Sequence, residues 1–146
     1  MTLKSHTQIK NYERLLVDIE SFYPNFKTWY STKVIPGIIN DTREILTEYR
    51  EDTLVGIAII KKEKQEQKIC TIKIIPEYQN RGIGVKLFKR ALNKLSTDKP
   101  FVTVPEERFH EFHKIFIHFG FKLTEVKTGY YRKGKKEYIY NGSLKD

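Results

Sequence analysis

The stretch with the most specific chemistry is a glycine-containing loop, residues 79–86, which reads Gln-Asn-Arg-Gly-Ile-Gly-Val-Lys. An apolar run that predicts a buried strand, Lys68–Ile75, precedes it, and a run typical of a helix, Gly82–Leu95, follows it. The first amides of such a helix have no acceptor within the helix, and the helix dipole favours negative charge there. Glycines 82 and 84 leave room for a bulky group close to the backbone. The spacing therefore predicts a site for a ligand that carries a diphosphate.

Two well-known phosphate-binding motifs do not match this loop. The sequence lacks the Gly-x-x-x-x-Gly-Lys-Ser/Thr of a P-loop, and Leu87 occupies the position of the third glycine in a dinucleotide-binding fingerprint. The pattern Gln/Arg-x-x-Gly-x-Gly/Ala does match, at Gln79, Gly82 and Gly84. In this spacing the loop resembles the acetyl-CoA loop of the GNAT acetyltransferase superfamily.

Two further patches are similar to the same family. Pro-Glu-Tyr at residues 76–78 comes directly before the loop, and residues 115–121 resemble a later helix that ends in Gly-Phe. A predicted strand, residues 101–104, lies between the loop and this helix, in the expected order. The resemblance covers roughly residues 54–126. It implies an acetyl-CoA-dependent N-acetyltransferase that transfers the acetyl group directly to a primary amine, with acetyl-CoA as cosubstrate.

The resemblance also implies how acetyl-CoA is held. In the GNAT fold, the strand before the loop and the next strand splay apart, and the pantetheine arm lies in the gap. Backbone groups around Ile72 and Ile74 are expected to pair with that arm, and the amides of residues 81–86 are expected to hold the diphosphate. The loop residues expected at the cofactor are Gln79, Arg81, Gly82, Ile83, Gly84, Val85 and Lys86.

The residues that would move protons depart from the family pattern. Acetyl transfer needs a deprotonated amine, a polarised thioester carbonyl and a stabilised leaving thiolate. Many members serve the thiolate with a tyrosine four residues before the Gly of Gly-Phe, but that position is Phe116 here. The chain has no asparagine between Asn93 and Asn141, and no carboxylate in Lys68–Ile75, where other members place functional groups. The acid and the base must therefore be sought elsewhere.

Three sets of residues are candidates for these roles. His113 lies on the helix that ends in Gly-Phe and would face the thioester, although a helical histidine also serves in packing. Glu106 and Glu107 follow the second splayed strand, where acidic residues also favour a helix start. Tyr130 and Tyr131 lie in the closing hairpin, where strand alternation turns one of them inward. A water-mediated base is a further alternative.

The acceptor is not identified by the sequence, which leaves a small molecule, a protein or an aminoacyl-tRNA. The early helices and the last hairpin, which usually form the acceptor pocket, are aromatic, with Phe22, Tyr23, Phe26, Trp29, Tyr30, Tyr130, Tyr131, Tyr138 and Tyr140. Residues 76–146 hold 15 basic and 8 acidic residues, a net charge of +7 out of +9, which favours an RNA-directed enzyme as one alternative. Phe116 favours another, a degenerate domain that binds CoA as a sensor or interaction module.

Length and composition predict one domain, residues 1–146. No apolar run approaches the roughly 18 residues of a membrane span, and Met1–His6 lacks the apolar block of a signal peptide. The single cysteine, Cys70, excludes an internal disulfide and favours a cytoplasmic location. No pattern of ligands predicts a metal site, and an exposed sheet edge would be compatible with a homodimer.

The order of periodic segments predicts an α/β fold. Predicted helices are residues 12–23, 26–34, 82–95 and 106–119, the second of them stopped by Pro36-Gly37; predicted strands are 43–49, 54–61, 68–75 and 101–104, with a hairpin of 121–132 and 135–141. We expect a GNAT-like mixed, mostly antiparallel central sheet flanked by helices on both faces.

Overall fold

The centre of the fold is a six-stranded sheet. The computed structural model describes residues 15–17, 19–21 and 23–142. The strands are β1 (Arg43–Arg50), β2 (Thr53–Lys62), β3 (Gln67–Ile74), β4 (Phe101–Pro105), β5 (Leu123–Thr128) and β6 (Lys136–Tyr140), in the spatial order β1-β2-β3-β4-β6-β5. All neighbouring strands are antiparallel except β3 and β4, which are parallel. The predicted mixed, mostly antiparallel sheet is confirmed.

The parallel pair opens soon after it begins. Lys68 pairs with Phe101 and Ile69 with Val102, and no later residue of β3 pairs with β4. On the other side of β3, the register shifts because Ile59 faces Thr71 while Ile60 faces Ile69, so Cys70 is an extra residue. Such a bulge bends the strand that carries it. It lies at the point where β3 leaves β4, and the two strands enclose a gap from there onward.

The first described helices cover one face of the sheet. Residues 15–17 and 19–20 are helical, in agreement with the predicted first helix, while residues 12–14, 18 and 22 of that prediction lie outside the described residues. The next helix consists of α1 (Phe26–Trp29), a π-helical segment (Tyr30–Val34) and α2 (Ile35–Ile39). It packs on β1 and β3 through Arg43, whose guanidinium lies over the Trp29 ring and contacts the Cys70 sulfur.

The predicted helix stop at Pro36-Gly37 is wrong, because the chain remains helical to Ile39. Pro36 lies at the start of α2, directly after the π-helical segment. Proline is tolerated in the first turn of a helix, where its missing N–H would have no helical acceptor. The π-helical segment changes the backbone hydrogen-bond pattern directly before this turn. No helix among the described residues has the length and apolar character of a membrane span.

Two helices cover the opposite face. They are α3 (Ile83–Lys94) and α4 (Phe109–His118), and the short 3-10 turn Glu106–Arg108 precedes α4 within the segment predicted as one helix. Phe88 of α3 joins them, since its ring lies 5.2 Å from that of Phe116 and 4.9 Å from that of Phe119. The prediction of helices on both faces is therefore confirmed.

The closing hairpin is shorter than predicted. Strand β5 ends at Thr128 and β6 begins at Lys136, so the predicted strands 121–132 and 135–141 are too long at the turn. Tyr130 and Tyr131 consequently lie in the connecting loop, and strand alternation does not decide where they point. Gly129 and Gly134, both with positive φ, bracket this loop.

Helix α3 packs closely on β2 at Gly56. A Cβ at this position would lie 2.8 Å from Ile74 Cδ1 and 3.0 Å from Leu87 Cδ1. We expect Gly56→Ala to lower the free energy of unfolding by about 1–3 kcal/mol, measured by urea denaturation. The matched control is Gly84→Ala, because its Cβ would come no closer than 3.9 Å to a neighbour and alanine favours a helix. Wild-type stability of Gly56→Ala would contradict this packing.

Candidate functional site

The glycine loop presents the bare N-terminus of α3. Asn80 and Gly82 both have positive φ, 63° and 80°, and no side chain caps the helix. The amides of Ile83, Gly84 and Val85 therefore have no acceptor within the helix. A Cβ at Gly82 would meet no atom within 4 Å, so glycine is needed there for its conformation, whereas a Cβ at Gly84 would point at Ile115 and Phe112 of α4.

The end of β3 is tied to this loop and turns its backbone into the gap. The Gln79 side chain donates to the Ile74 carbonyl at 3.2 Å, which fixes the loop against the strand. The Ile75 amide donates to Val55 of β2. Since peptide groups alternate in direction along a strand, those of Ile72 and Ile74 face away from β2, toward the side where β4 has separated. Their assignment to the pantetheine arm stays a prediction.

The two cations of the loop have different partners. The Nζ atom of Lys86 lies 3.0 Å from Oε1 of Glu48 in β1. The backbone amide of Lys86 donates a hydrogen bond to the Gly82 carbonyl. Arg81 stacks on the Tyr78 ring at 5.0 Å and has no ion-pair partner among the described residues. Arg81 is thus available to an anion at the loop. The assignment of Lys86 stays a prediction, and its engagement with Glu48 argues against it.

A narrow cavity of about 30 Å³, the groove, occupies the gap between β3 and β4. Its walls come from β3, β4, α4 and the first helical segment, and include Thr71, Ile72, Lys73, Val104, Phe112 and Phe116. Phe116 occupies the position where the family that the loop resembles usually has a tyrosine. Its side chain is only 1% exposed and has no proton to donate at this wall. Whatever protonates or deprotonates a reactant here must reach it from another wall.

A larger cavity of about 300 Å³, the acceptor cavity, adjoins the groove. Its aromatic lining comes from Tyr23, Phe26, Trp29, Tyr130 and Tyr131, and the remaining walls include Lys68, Cys70, Thr71 and Thr103. Ile19, Tyr23, Thr71 and Thr103 line both cavities. The two spaces therefore meet beside these residues.

A buried carboxylate lies behind this junction. Glu137 of β6 is 4% exposed, and the Tyr23 hydroxyl donates to its Oε2 at 2.9 Å. Thr103 also hydrogen-bonds it. Burial raises the pKa of Glu137 to about 7, an effect that the hydrogen bonds from Tyr23 and Thr103 oppose. Burial likewise raises the pKa of Tyr23 well above its ordinary value. A group whose pKa lies near neutral pH is suited to general acid–base chemistry.

The predicted tyrosines lie at the acceptor cavity in different settings. Tyr131 packs edge-on against Tyr23, with ring centroids 4.9 Å apart, and burial raises the pKa of its phenol. Tyr130 is 37% exposed and lies at the outer wall, against Tyr131. Of the other aromatic residues predicted there, Tyr30 stacks on Phe26 behind the cavity wall. Tyr138 and Tyr140 line neither cavity, and Phe22 lies outside the described residues.

The other predicted acid–base residues are not at the junction. His113 stacks on Phe109 and its Nδ1 lies 2.8 Å from the hydroxyl of the buried Tyr140. Glu106 accepts a hydrogen bond from the Lys136 amide, and Glu107 binds Arg132 through both carboxylate oxygens. None of these three residues lines either cavity. Their assignment to catalysis stays a prediction that their positions do not favour.

The sequence did contain a signal for Glu137, which was missed. Glu137 and Ile139 share a face of β6, and Ile139 is fully buried. A carboxylate in phase with a buried isoleucine predicts a buried acid. Its pairing with Tyr23, which is 114 residues away in the chain, has no local signature.

The sequence matches a family model described as an acetyltransferase (GNAT) domain over residues 10–135. No sequence match was found among the curated proteins. Solved structures similar to this chain include the ribosomal-protein-S18-alanine N-acetyltransferase from Escherichia coli, with a TM-score of 0.67 and 15% identity over 95% of this chain and 89% of that one.

Two further solved structures share the fold. A putative GNAT-family acetyltransferase from Desulfovibrio desulfuricans has a TM-score of 0.66 and 14% identity over 94% of each chain. An acetyltransferase from Bacillus subtilis in complex with CoA has a TM-score of 0.62 and 18% identity over 98% of this chain and 97% of that one. At these identities the likeness establishes a common fold.

The raised pKa of Glu137 makes stability depend on pH. The folded protein binds this proton up to about pH 7, whereas the unfolded chain releases it near pH 4.3, so ionisation of Glu137 lowers stability as pH rises between these values. We compare the unfolding free energy of Glu137→Gln with that of the wild type. We expect this difference to be about 2 kcal/mol more favourable to the variant at pH 8 than at pH 5. Urea denaturation at both pH values measures this.

The control for this measurement is Glu51→Gln, in the exposed turn between β1 and β2. Its stability relative to wild type should be the same at both pH values. An equally flat difference for Glu137→Gln would mean that the carboxyl has an ordinary pKa.

Proposed function

Because the chain belongs to the GNAT acetyltransferase family, we propose that it is an N-acetyltransferase that passes the acetyl group of acetyl-CoA directly to a primary amine. The observation that carries this proposal is the Tyr23–Glu137 pair behind the junction of the groove and the acceptor cavity. A carboxylate that titrates near pH 7 and is reached through one hydroxyl supplies the base that amine acetylation requires.

The residues present fit acetyl-CoA, the cosubstrate. The unpaired amides of Ile83, Gly84 and Val85 and the guanidinium of Arg81 would hold the diphosphate. The peptide group of Ile72 and the amide of Ile74, which have no partner strand on that side, would pair with the pantetheine arm along the groove. When bound, acetyl-CoA supplies an acetyl group activated as a thioester.

Tyr23 and Glu137 would remove the proton from the amine. Tyr23 lines both cavities, so an amine at their junction would lie beside this residue, whereas Glu137 itself lines neither. In our proposal the Tyr23 oxygen accepts the amine proton while Tyr23 passes its own proton to Glu137 Oε2 at 2.9 Å. Tyr131, packed against Tyr23 at the acceptor cavity, is the candidate donor to the leaving thiolate.

A second candidate function is CoA binding without catalysis, as a sensor or interaction module. Phe116 favours it, because the position of the usual proton donor carries a buried hydrocarbon ring at the groove. An RNA-directed enzyme is less well supported, because two of the four cations at residues 132–136 of the closing hairpin are engaged. Arg132 forms a double hydrogen bond with Glu107, and Lys135 lies 3.9 Å from the same carboxylate.

The relay can be tested in the wild type and two variants. We expect Glu137→Gln and Tyr23→Phe each to lower kcat about a hundredfold, because either change interrupts the proton path. In the wild type, kcat/KM should rise with pH up to about 7, where Glu137 ionises, and this limb should be lost in Glu137→Gln. Thiol release from acetyl-CoA with an amine acceptor measures both.

Tyr140→Phe is the matched control, because Tyr140 is a buried tyrosine that lines neither cavity and is bonded to His113. Its kcat should stay within about twofold of wild type. If Tyr140→Phe lost as much activity as Tyr23→Phe, the relay would run through His113 and the present assignment would be wrong.

Cofactor binding can be tested without any acceptor. Acetyl-CoA or CoA at about 100 times its Kd should add about 2.7 kcal/mol to stability, seen as a rise in Tm, and ATP should not. Arg81→Ala should raise the Kd for CoA about fivefold, while Lys86→Ala, whose ammonium is held by Glu48, should change it less than twofold. Equal effects of both variants would refute the distinction between them, and no Tm shift in the wild type would refute the proposed function.

A further inference from the structure

The acceptor cavity has a chemistry that restricts its amine. We propose that the acceptor is a small aromatic monoamine with an anionic group at the end remote from the amine, bound with that anion beside Lys68. This inference rests on the proposed function, because it places the reacting amine at Tyr23, where the acceptor cavity meets the groove.

The aromatic part of the inference comes from the cavity walls. Phe26 and Trp29 of α1 form one wall, with ring centroids 5.6 Å apart, and Tyr130 and Tyr131 form another as an edge-on pair at 4.8 Å. Flat, rigid faces of this kind bury an aromatic or similarly flat apolar body. A volume of about 300 Å³ is at the lower end for small-molecule pockets. The body that fills it is therefore small.

The anionic part comes from the charges on β3. Lys68 lines the cavity, lies 5.0 Å over the Phe101 ring and forms no ion pair with any described residue. Arg43 approaches from behind, where it contacts the Cys70 sulfur and the Trp29 ring, and it too forms no ion pair within the described residues. Glu66, a nearby carboxylate, is bound to Lys61. Glu66 interacts with both cations only at longer range. Two cations beside an apolar cavity, neither in an ion pair with a described residue, favour an anion on the ligand.

The separation of the two ends sets the length of the acceptor. Lys68 and Thr71, which belongs to the junction, face residues two positions apart in β2 because Cys70 is the extra residue of the bulge, and a strand rises about 3.3 Å per residue. The amine and the anion are therefore roughly 7 Å apart. None of the described residues that line the acceptor cavity is acidic. A polyamine or another polycation would thus leave its additional ammonium groups unpaired in an apolar space.

Three para-substituted benzylamines of matched size separate these properties. They are 4-(aminomethyl)phenylacetate with an anionic tail, 4-ethylbenzylamine with a neutral tail and 4-(2-aminoethyl)benzylamine with a cationic tail; spermidine represents a polyamine. Isothermal titration of the CoA-saturated full-length chain measures binding, and thiol release from acetyl-CoA measures turnover. We expect the anionic amine to bind about tenfold more tightly than the neutral one, and the dication and spermidine to bind more weakly than either.

Variants of Lys68 test whether this preference comes from the assigned residue. Lys68→Met should weaken binding of the anionic amine about tenfold and leave the neutral amine unchanged. Lys68→Glu should reverse the order and favour the cationic tail. Lys89→Met, on the exposed side of α3, is the matched loss of one lysine charge and should change none of the affinities.

The outcomes separate this inference from the proposed function. Equal or tighter binding of the neutral or cationic amine, no binding of any amine, or an equal effect of Lys68→Met on all of them would overturn the assignment of the acceptor class. Selective, Lys68-dependent binding without thiol release would uphold the cavity's chemistry and refute acetyl transfer. Turnover of the neutral amine as efficiently as the anionic one would uphold acetyl transfer and overturn the anion site.

Discussion

The structure of the site depends on one extra residue in β3. Cys70 has no counterpart in β2, and at this level β3 stops pairing with β4. Unpaired backbone groups inside a protein are costly unless another partner takes them. The separated edges of β3 and β4 therefore form a groove with unused hydrogen-bonding groups, and the loop at residues 79–86 lies at its end.

Two buried carboxylates show how neighbours decide the role of an acid. Burial raises the pKa of Glu48, but hydrogen bonds from Arg50, Lys86 and Arg90 hold it below its ordinary value. Glu48 therefore stays ionised and fastens α3 to β1. Glu137 instead forms hydrogen bonds with two hydroxyl groups, so the effect of burial dominates and its pKa rises to about 7. Cationic neighbours make the first acid structural, whereas neutral neighbours leave the second one free to exchange a proton.

Much of the fold could be predicted from local patterns. Runs rich in strand-forming residues marked β1 and β2 at residues 43–49 and 54–61, and apolar periodicity marked α3 at residues 82–95. The errors arose where tertiary context overrides a local rule. Pro36 continues a helix because a π-helical segment precedes it, and the hairpin strands are shorter than their aromatic content indicates. Neither the π-helical segment nor the long connecting loop has a distinctive composition.

By itself, the sequence determined the glycine loop, the order of the elements and the family resemblance, because glycine spacing and apolar periodicity act over a few residues. The catalytic assignment is different in kind. Tyr23 and Glu137 are far apart in the chain, and the sequence marked Tyr23 only as an aromatic residue and Glu137 only as an acid in phase with an isoleucine. Only the tertiary structure brings the hydroxyl to the carboxylate, removes water from it and places both behind the junction of two cavities. Burial and proximity set a pKa, and both are properties of the folded chain.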